Sequence, residues 1–432
     1  MNSSSPAHGP ASLFSFGDTP LDHVDLLGRH KIISRGLTEA DPKSLVKNTV
    51  ASAFAEIEVN HFKFKSLSSW SYNIAVGCLH GCRFCYVPES QHTRPGKEKE
   101  NTGPLARALR EFGILDPDAD WGRYALFRPW DEKKFMASLA RAENTPREEL
   151  NPDGNRAVIL CSTTDPYQTV RVPGNPAKQN LLNQHARFLV RRALELILKH
   201  STINVRILTR SPLAAQDFDL FKKFGNRLLF GMSLPSLNDT LLKVYEPFAP
   251  GPQARLHTLQ KAAAEGIPLY VAVAPTYPEC DADDLRATLR AIRPLNPLTI
   301  FHEPINVRAE NIERIARYAS GLKPPIKLRT EVFDNGPAWR RYAVDQLMTM
   351  QRVAGELGME GRLHLWPDKA LKPKSAFLEA RADALHQARP GYRETAFEKE
   401  ERLTADEAAY EPFSQWLAHW HQRISEWPGK KS

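Results

Sequence analysis

The chain has 432 residues, 58 Lys+Arg against 50 Asp+Glu for a formal net charge of +8, and five cysteines. With 42% hydrophobic and 25% charged residues, the composition is that of an ordinary folded chain and excludes wholesale disorder; no apolar run reaches the roughly 20 residues of a membrane-spanning helix. Three of the five cysteines, Cys78, Cys82 and Cys85, fall within eight residues, which suits a metal site better than a disulfide framework.

The first residues, MNSSSPAHGPASLFSFGDTP, lack a basic segment followed by an apolar core, so they do not read as a secretory signal and a cytoplasmic location is expected. Residues 1–60 read as an N-terminal extension with a short amphipathic stretch near Ser44–Ala55. SYNIAV, ending just before the cysteines, reads as a first strand. Residues 88–120 are polar and broken by Pro and Gly, as in a long loop with one short helix. From about 157 the pattern becomes regular: AVIL is an apolar strand-length run, and NLLNQHARFLVRRALELILKH carries apolar residues at helical spacing. INVRILTR, RLLFGMS, PLYVAVAP and LTIFHEP continue as strands, with helices predicted at DFDLFKKFG, PQARLHTLQKAAAEG, DADDLRATLRAIRPL and ENIERIARYASG. Such alternation predicts a parallel sheet with crossover helices. The expected fold class is α/β, a partial (β/α)6 TIM-like barrel over residues 61–325. RLHLWPD near 362 adds a late strand, and residues 326–432 read as a largely helical C-terminal extension.

The positive charge is uneven. From Arg187 to Arg227 nine Lys/Arg stand against three acids, a stretch that could hold phosphates if it shared one face or could simply be a solvated helical exterior.

The chemistry concentrates in GCLHGCRFCYVPES, where Cys78, Cys82 and Cys85 form C-x3-C-x2-C directly after a predicted strand. Three thiolates on one loop can hold three corners of a [4Fe-4S] cluster, leaving the fourth iron open. A structural zinc takes four protein ligands; Cys161 and Cys280 are isolated in sequence, and His80 could complete a Cys3His set.

This loop resembles the signature of the radical S-adenosylmethionine (SAM) superfamily, with Phe84 as the aromatic before the third cysteine. TDPYQ at Thr164–Gln168, ILTRS at Ile207–Ser211, EPFAPGPQAR at Glu246–Arg255 and APTYP ending at Pro278 make the chain similar to the spore photoproduct lyase-related group over roughly residues 70–310. Two departures stand out: SYNIAVG replaces an Asn-Pro-Tyr stretch, and Arg210 stands where Lys is usual. The resemblance implies a [4Fe-4S] cluster on the three cysteines, SAM as cofactor, and a radical formed at the carboxyl ends of the barrel strands. It implies that Ser162, Thr163, Thr164 and Asp165 receive the SAM ammonium, that Arg210 meets its carboxylate and that Ser233 meets its ribose. Glu246 and Arg255 are expected as a structural ion pair. Tyr86 and Cys161 match residues that return hydrogen to the substrate in that group, although Cys161 lies one residue early and a one-residue shift reverses the face of a strand. His302 and Glu303, ending the sixth strand, are expected to face the same cavity, and Cys280 has no assigned role. An external one-electron reductant such as flavodoxin or ferredoxin is implied as a partner. The implied substrate is a nucleic-acid lesion in DNA; the alternatives are a radical SAM enzyme acting on RNA, peptide or a small metabolite, and a non-catalytic zinc or nucleic-acid-binding module.

Overall fold

A computed structural model describes residues 23–27, 31–35, 54–60, 68–89 and 116–368, with breaks at 147–148, 151–155, 172–174, 309 and 320–326, and single positions 109, 114, 371, 415 and 418. Most of the Ser44–Ala55 stretch, most of the long loop before residue 116, and nearly all of the expected helical tail after 371 lie outside the described residues.

Short strands open the chain: β1 (His23–Leu27), β2 (Lys31–Arg35), β3 (Ile57–Val59), β4 (Trp70–Tyr72), β5 (Ala75–Val76) and β6 (Leu126–Phe127). Helix α1 (Glu132–Glu143) starts on Asp131, whose side chain accepts from the Lys134 amide. The regular part follows as β7 (Ala157–Leu160), α2 (Pro176–His200), β8 (Asn204–Thr209), α3 (Phe218–Phe224), β9 (Leu228–Ser233), α4 (Asp239–Tyr245), α5 (Pro252–Ala264), β10 (Leu269–Thr276), α6 (Ala282–Ile292), β11 (Thr299–Pro304), α7 (Asn311–Ala319), α8 (Gly336–Glu356) and β12 (Leu363–Leu365).

The main sheet runs β12-β11-β10-β9-β8-β7-β4-β3. All its neighbours are parallel except β3, which pairs antiparallel with β4. This is the partial barrel expected from the alternation, open between β3 and β12 and with a seventh parallel strand in β12. The central position of β9 explains its composition, since all six residues of LLFGMS are buried, as in a strand covered on both faces. Gly231 serves that packing: a Cβ there would stand 2.2 Å from the Tyr270 ring. Helix α2 buries Leu182, Ala186, Leu189, Val190, Ala193, Leu194 and Ile197, the stripe its sequence spacing predicts. Among the described residues no helix is long and apolar enough to cross a membrane.

The expected strand SYNIAV is not one strand. Trp70–Tyr72 pairs with β7 in the barrel, whereas Ala75–Val76 pairs with β6 in a second sheet of order β2-β1-β6-β5. Asn73 lies at the division, and its side chain is engaged with the loop after β7, so the chain leaves the barrel there and delivers the cysteine loop across its mouth.

Candidate active site

Cys78, Cys82 and Cys85 line one cavity of about 300 Å³ at the carboxyl ends of the parallel strands. The loop that carries them is tightly built. Gly77 has φ +88°, and a Cβ on it would lie 2.5 Å from the Tyr124 ring, so the backbone needs a glycine for both conformation and space. Within the loop the Cys85 amide donates to the Cys82 carbonyl at 3.1 Å. Cys78 and Cys82 are buried, and burial pushes the Cys78 thiol up to about 12. Each thiol is therefore neutral until a metal displaces its proton.

The loop after β7 faces the cysteines. Ile159 and Cys161 both line the cavity, two residues apart as strand alternation requires. Cys161 then adopts φ 64°, a left-handed conformation costing a non-glycine residue about 1–2 kcal/mol. This turn brings Ser162, Thr163 and Thr164 onto the same cavity wall, and Cys161 stands on it despite its early position in the sequence. Thr163 donates through both its amide and its hydroxyl to Asn73 Oδ1, at 3.1 and 3.0 Å. Thr164 Oγ1 donates to the Gly77 carbonyl at 2.6 Å, and Gln168 bridges the two loops by donating to Thr164 Oγ1 and accepting from the Leu79 amide.

Asp165 lines the cavity, but its carboxylate is occupied by protein. Oδ1 accepts from the Tyr167 amide at 2.8 Å and Thr209 Oγ1 at 2.7 Å, Oδ2 accepts from the Arg210 amide at 2.9 Å, and His80 Nδ1 lies 3.3 Å from Oδ2. Burial alone would raise this carboxyl; His80 and the hydrogen bonds outweigh it and hold it at about 2. The group is a constant anion that ties β7, β8 and the cysteine loop together.

Arg210 also lines the cavity, with its guanidinium 5.6 Å from the Phe84 ring centre. Its Nε is 3.1 Å from Glu246 Oε1, close enough for an ion pair although misaligned for a hydrogen bond. Glu246 also binds Arg255 through Oε2 and accepts from Tyr277 OH at 3.1 Å. Against burial, the two arginines hold Glu246 at about 2, so this trio carries one net positive charge beside the cavity. Ser233 does not line the cavity; its hydroxyl donates to the Ala274 carbonyl at 3.0 Å. His302 does not line it either. Strand alternation turns His302 outward against the Val273 carbonyl at 3.2 Å, where burial lowers it to about 4, and turns Glu303 inward. The expectation that both share the cavity therefore holds for Glu303 alone. Tyr86 lines the cavity with the Arg308 guanidinium 5.7 Å from its ring. Burial pushes both the Tyr86 phenol and the Cys161 thiol upward, so each keeps its hydrogen near neutral pH.

Several residues of the site carry no motif. Asn73 is one; Asn311, Arg314 and Asp118 are the others. Asn311 Nδ2 donates to the Phe84 carbonyl, while Arg314 donates to the carbonyls of Arg83 and Cys85 and binds Asp118. The basic stretch, in contrast, is largely used internally. Arg191 pairs with Glu195, Asp217 and Asp219, Arg192 with Glu132 and Glu195, and Lys222 with Glu265, while Arg206 is buried. These four positions are thus partnered or buried within the chain.

The donor set suits a polynuclear iron–sulfur group. Three thiols share one cavity, the donor type that iron–sulfur clusters take. Arg210 stands on the same cavity wall as the thiols, and Arg314 lies behind the loop, bonded to the Cys85 carbonyl.

No protein-family model matches the chain. It is 28% identical over 257 residues to an uncharacterised protein of Acidianus two-tailed virus, covering 58% of this chain and 72% of that protein. It is 23% identical over 280 residues to an uncharacterised protein of Methanocaldococcus jannaschii, covering 65% of this chain and 85% of that one. Among solved structures, spore photoproduct lyase complexed with dinucleoside spore photoproduct aligns at TM-score 0.46 and 13% identity, over 77% of this chain and 85% of that one. The radical SAM methyltransferase TsrM from Kitasatospora setae, with tryptophan substrate and a SAM analogue bound, aligns at TM-score 0.41 and 13% identity, over 76% of this chain and 63% of that one. Likenesses of this size transfer no activity to the chain.

Proposed function

We propose that the chain is a radical SAM enzyme in which Cys78, Cys82 and Cys85 hold a [4Fe-4S] cluster and the adjoining cavity takes SAM. The observation that carries this reading is the convergence of the three thiols, the Ser162–Thr164 loop and Arg210 on one cavity at the strands' carboxyl ends. When bound, the cluster and SAM together supply a one-electron reductive cleavage that yields methionine and a 5′-deoxyadenosyl radical. The protein binds, orients and excludes water. Carbonyls and hydroxyls of the Ser162–Thr164 loop, fixed by Asn73 and Gln168, offer acceptors to an ammonium group, and Arg210 offers a cation to a carboxylate. Asp165 acts at one remove by fixing the loop and the Arg210 backbone. Cys161 and Tyr86 present S–H and O–H to the cavity, the protonation states from which a hydrogen atom can return to a substrate radical.

From the motifs shared with the spore photoproduct lyase-related group, the substrate is a nucleic-acid lesion such as a thymine adduct, and the electron comes from a flavodoxin- or ferredoxin-type donor. The internal pairing of the basic stretch favours a second reading, in which the substrate is a peptide or small metabolite with few phosphates. Anaerobic reconstitution tests the cluster: about four irons per chain are expected, and a Cys82→Ala variant that kept the full complement would overturn the assignment. Release of 5′-deoxyadenosine from SAM tests the chemistry. Its stimulation by UV-irradiated DNA, with reversal of the dinucleotide adduct, separates the two substrate readings.

A further inference from the structure

We propose that Asn311 and Arg314 of α7 are positioning residues that clamp the cysteine loop from behind, and that Arg314 with Asp118 sets the reduction potential of the cluster held there. The inference rests on the reading above. Three consecutive loop carbonyls are each met by a donor from one helix. Arg314 Nη1 donates to Arg83 O at 3.0 Å and to Cys85 O at 2.7 Å, and Asn311 Nδ2 donates to Phe84 O between them at 3.0 Å. Asn311 is itself fixed, since it donates to the Asn306 carbonyl and accepts from the Arg308 amide. The loop between the second and third cysteines thus cannot change its peptide orientations without breaking one of these bonds, two of which are charge-assisted.

The clamp carries charge as well as geometry. The Arg314 and Asp118 side chains are 4% and 1% exposed and bind each other, and Asp118 also accepts from Arg317 at 2.6 Å. Arg317 is 54% exposed, so solvent screens its charge while Arg314 acts through a low-dielectric interior. Arg314 Nε has no hydrogen-bond partner, so the guanidinium is only partly satisfied by the protein. Adding an electron makes a cluster more negative, so a buried cation bonded to the Cys85 carbonyl favours the reduced state and a buried anion opposes it. Arg314 and Asp118 therefore act in opposite directions on one quantity, which a purely mechanical role would not produce.

The test uses the reconstituted full chain and begins with iron and sulfide content of the wild type. A wild type that takes up no cluster overturns the functional reading, and this inference with it; the count tells that failure apart from the ones that follow. Midpoints come from titrations monitored by electron paramagnetic resonance, and cluster loss from iron release to a chelator without oxygen. Arg314→Gln is expected to make one-electron reduction about tenfold less favourable, a midpoint about 59 mV lower. Asp118→Asn is expected to move it upward. Arg314→Lys keeps the charge without the planar fork, so its midpoint stays near wild type while iron release quickens several-fold. Should Arg314→Gln fail to fold, the Asp118→Asn shift and the Arg314→Lys contrast decide. Midpoints that move the same way in Arg314→Gln and Asp118→Asn, or that do not move, overturn the proposal.

Discussion

Two buried carboxylates flank the cysteine loop, and each is shared by two arginines. Glu246 lies between Arg210 and Arg255, whose side chains are 19% and 0% exposed. Asp118 lies between Arg314 at 4% and Arg317 at 54%. The first group is nearly sealed and one of its arms forms cavity wall; the second has one arm in solvent and the other on loop backbone. Identical chemistry therefore serves two ends. The sealed group presents a fixed cation to whatever occupies the cavity, and the half-open group restrains the peptide that carries the thiols.

The largest expected contrast comes from removing the carboxylates. Glu246→Gln leaves two buried guanidiniums without their counter-charge and should cost about 3–5 kcal/mol in urea unfolding. Asp118→Asn should cost about half as much, because Arg317 can turn to water; equal losses would erase the distinction between the two groups. Acid sharpens it next. Glu246 and Asp165 are held at about 2 against ordinary values of 4.5 and 3.8. A carboxyl lowered on folding contributes fully above its unfolded value and loses the contribution as pH falls through the folded one. The contribution of these two carboxylates should therefore be level from pH 7 to about 5 and decline between about 4 and 2, by on the order of 2 kcal/mol for each group. A separate loss begins near the ordinary histidine value of 6.5, because buried His302 is held neutral down to about 4, and Glu246→Gln should flatten part of the lower decline only. Arg210→Lys keeps a cation on the cavity wall but loses the planar fork; calorimetry should show SAM binding weakened about tenfold, or about 1.4 kcal/mol, with stability little changed. The smallest effect belongs to Arg317→Ala, expected to cost under about 1 kcal/mol, because Arg317 is 54% exposed and Asp118 keeps its bond to Arg314.

Much of the fold was legible because its signal is local. The α2 stripe, the all-apolar β9 and the strand–helix alternation follow from residues a few positions apart. The cysteine triad was legible for the same reason. One expectation failed where a side chain overrides local pattern, since Asn73 divides SYNIAV between two sheets. The other, that His302 and Glu303 share the cavity, failed against strand alternation, which sends the two to opposite faces. Asn311, Arg314 and Asp118 left no trace because their partners are some 200 residues away, as the separations of 196 and 229 for the Arg314 contacts show. A lone Arg in a polar helix looks like surface until the chain closes over it. Ser233 shows the reverse case, a residue matched by motif whose hydroxyl the fold uses for a strand-to-strand bond.

The bridge built by Thr164 and Gln168 onto Gly77 and Leu79 makes the cysteine loop and the loop after β7 interchangeable only as a pair. Grafting either one into another barrel would strand the Thr164 hydroxyl or the Leu79 amide without its acceptor, whereas transplanting both together with Asn73 would carry the bonds between the two loops across and leave the carbonyls of Arg83, Phe84 and Cys85 for new donors. In design terms, the portable unit of this site is two loops with Asn73 and the α7 residues Asn311 and Arg314 that hold the cysteine loop, and the three-cysteine motif is only its visible edge.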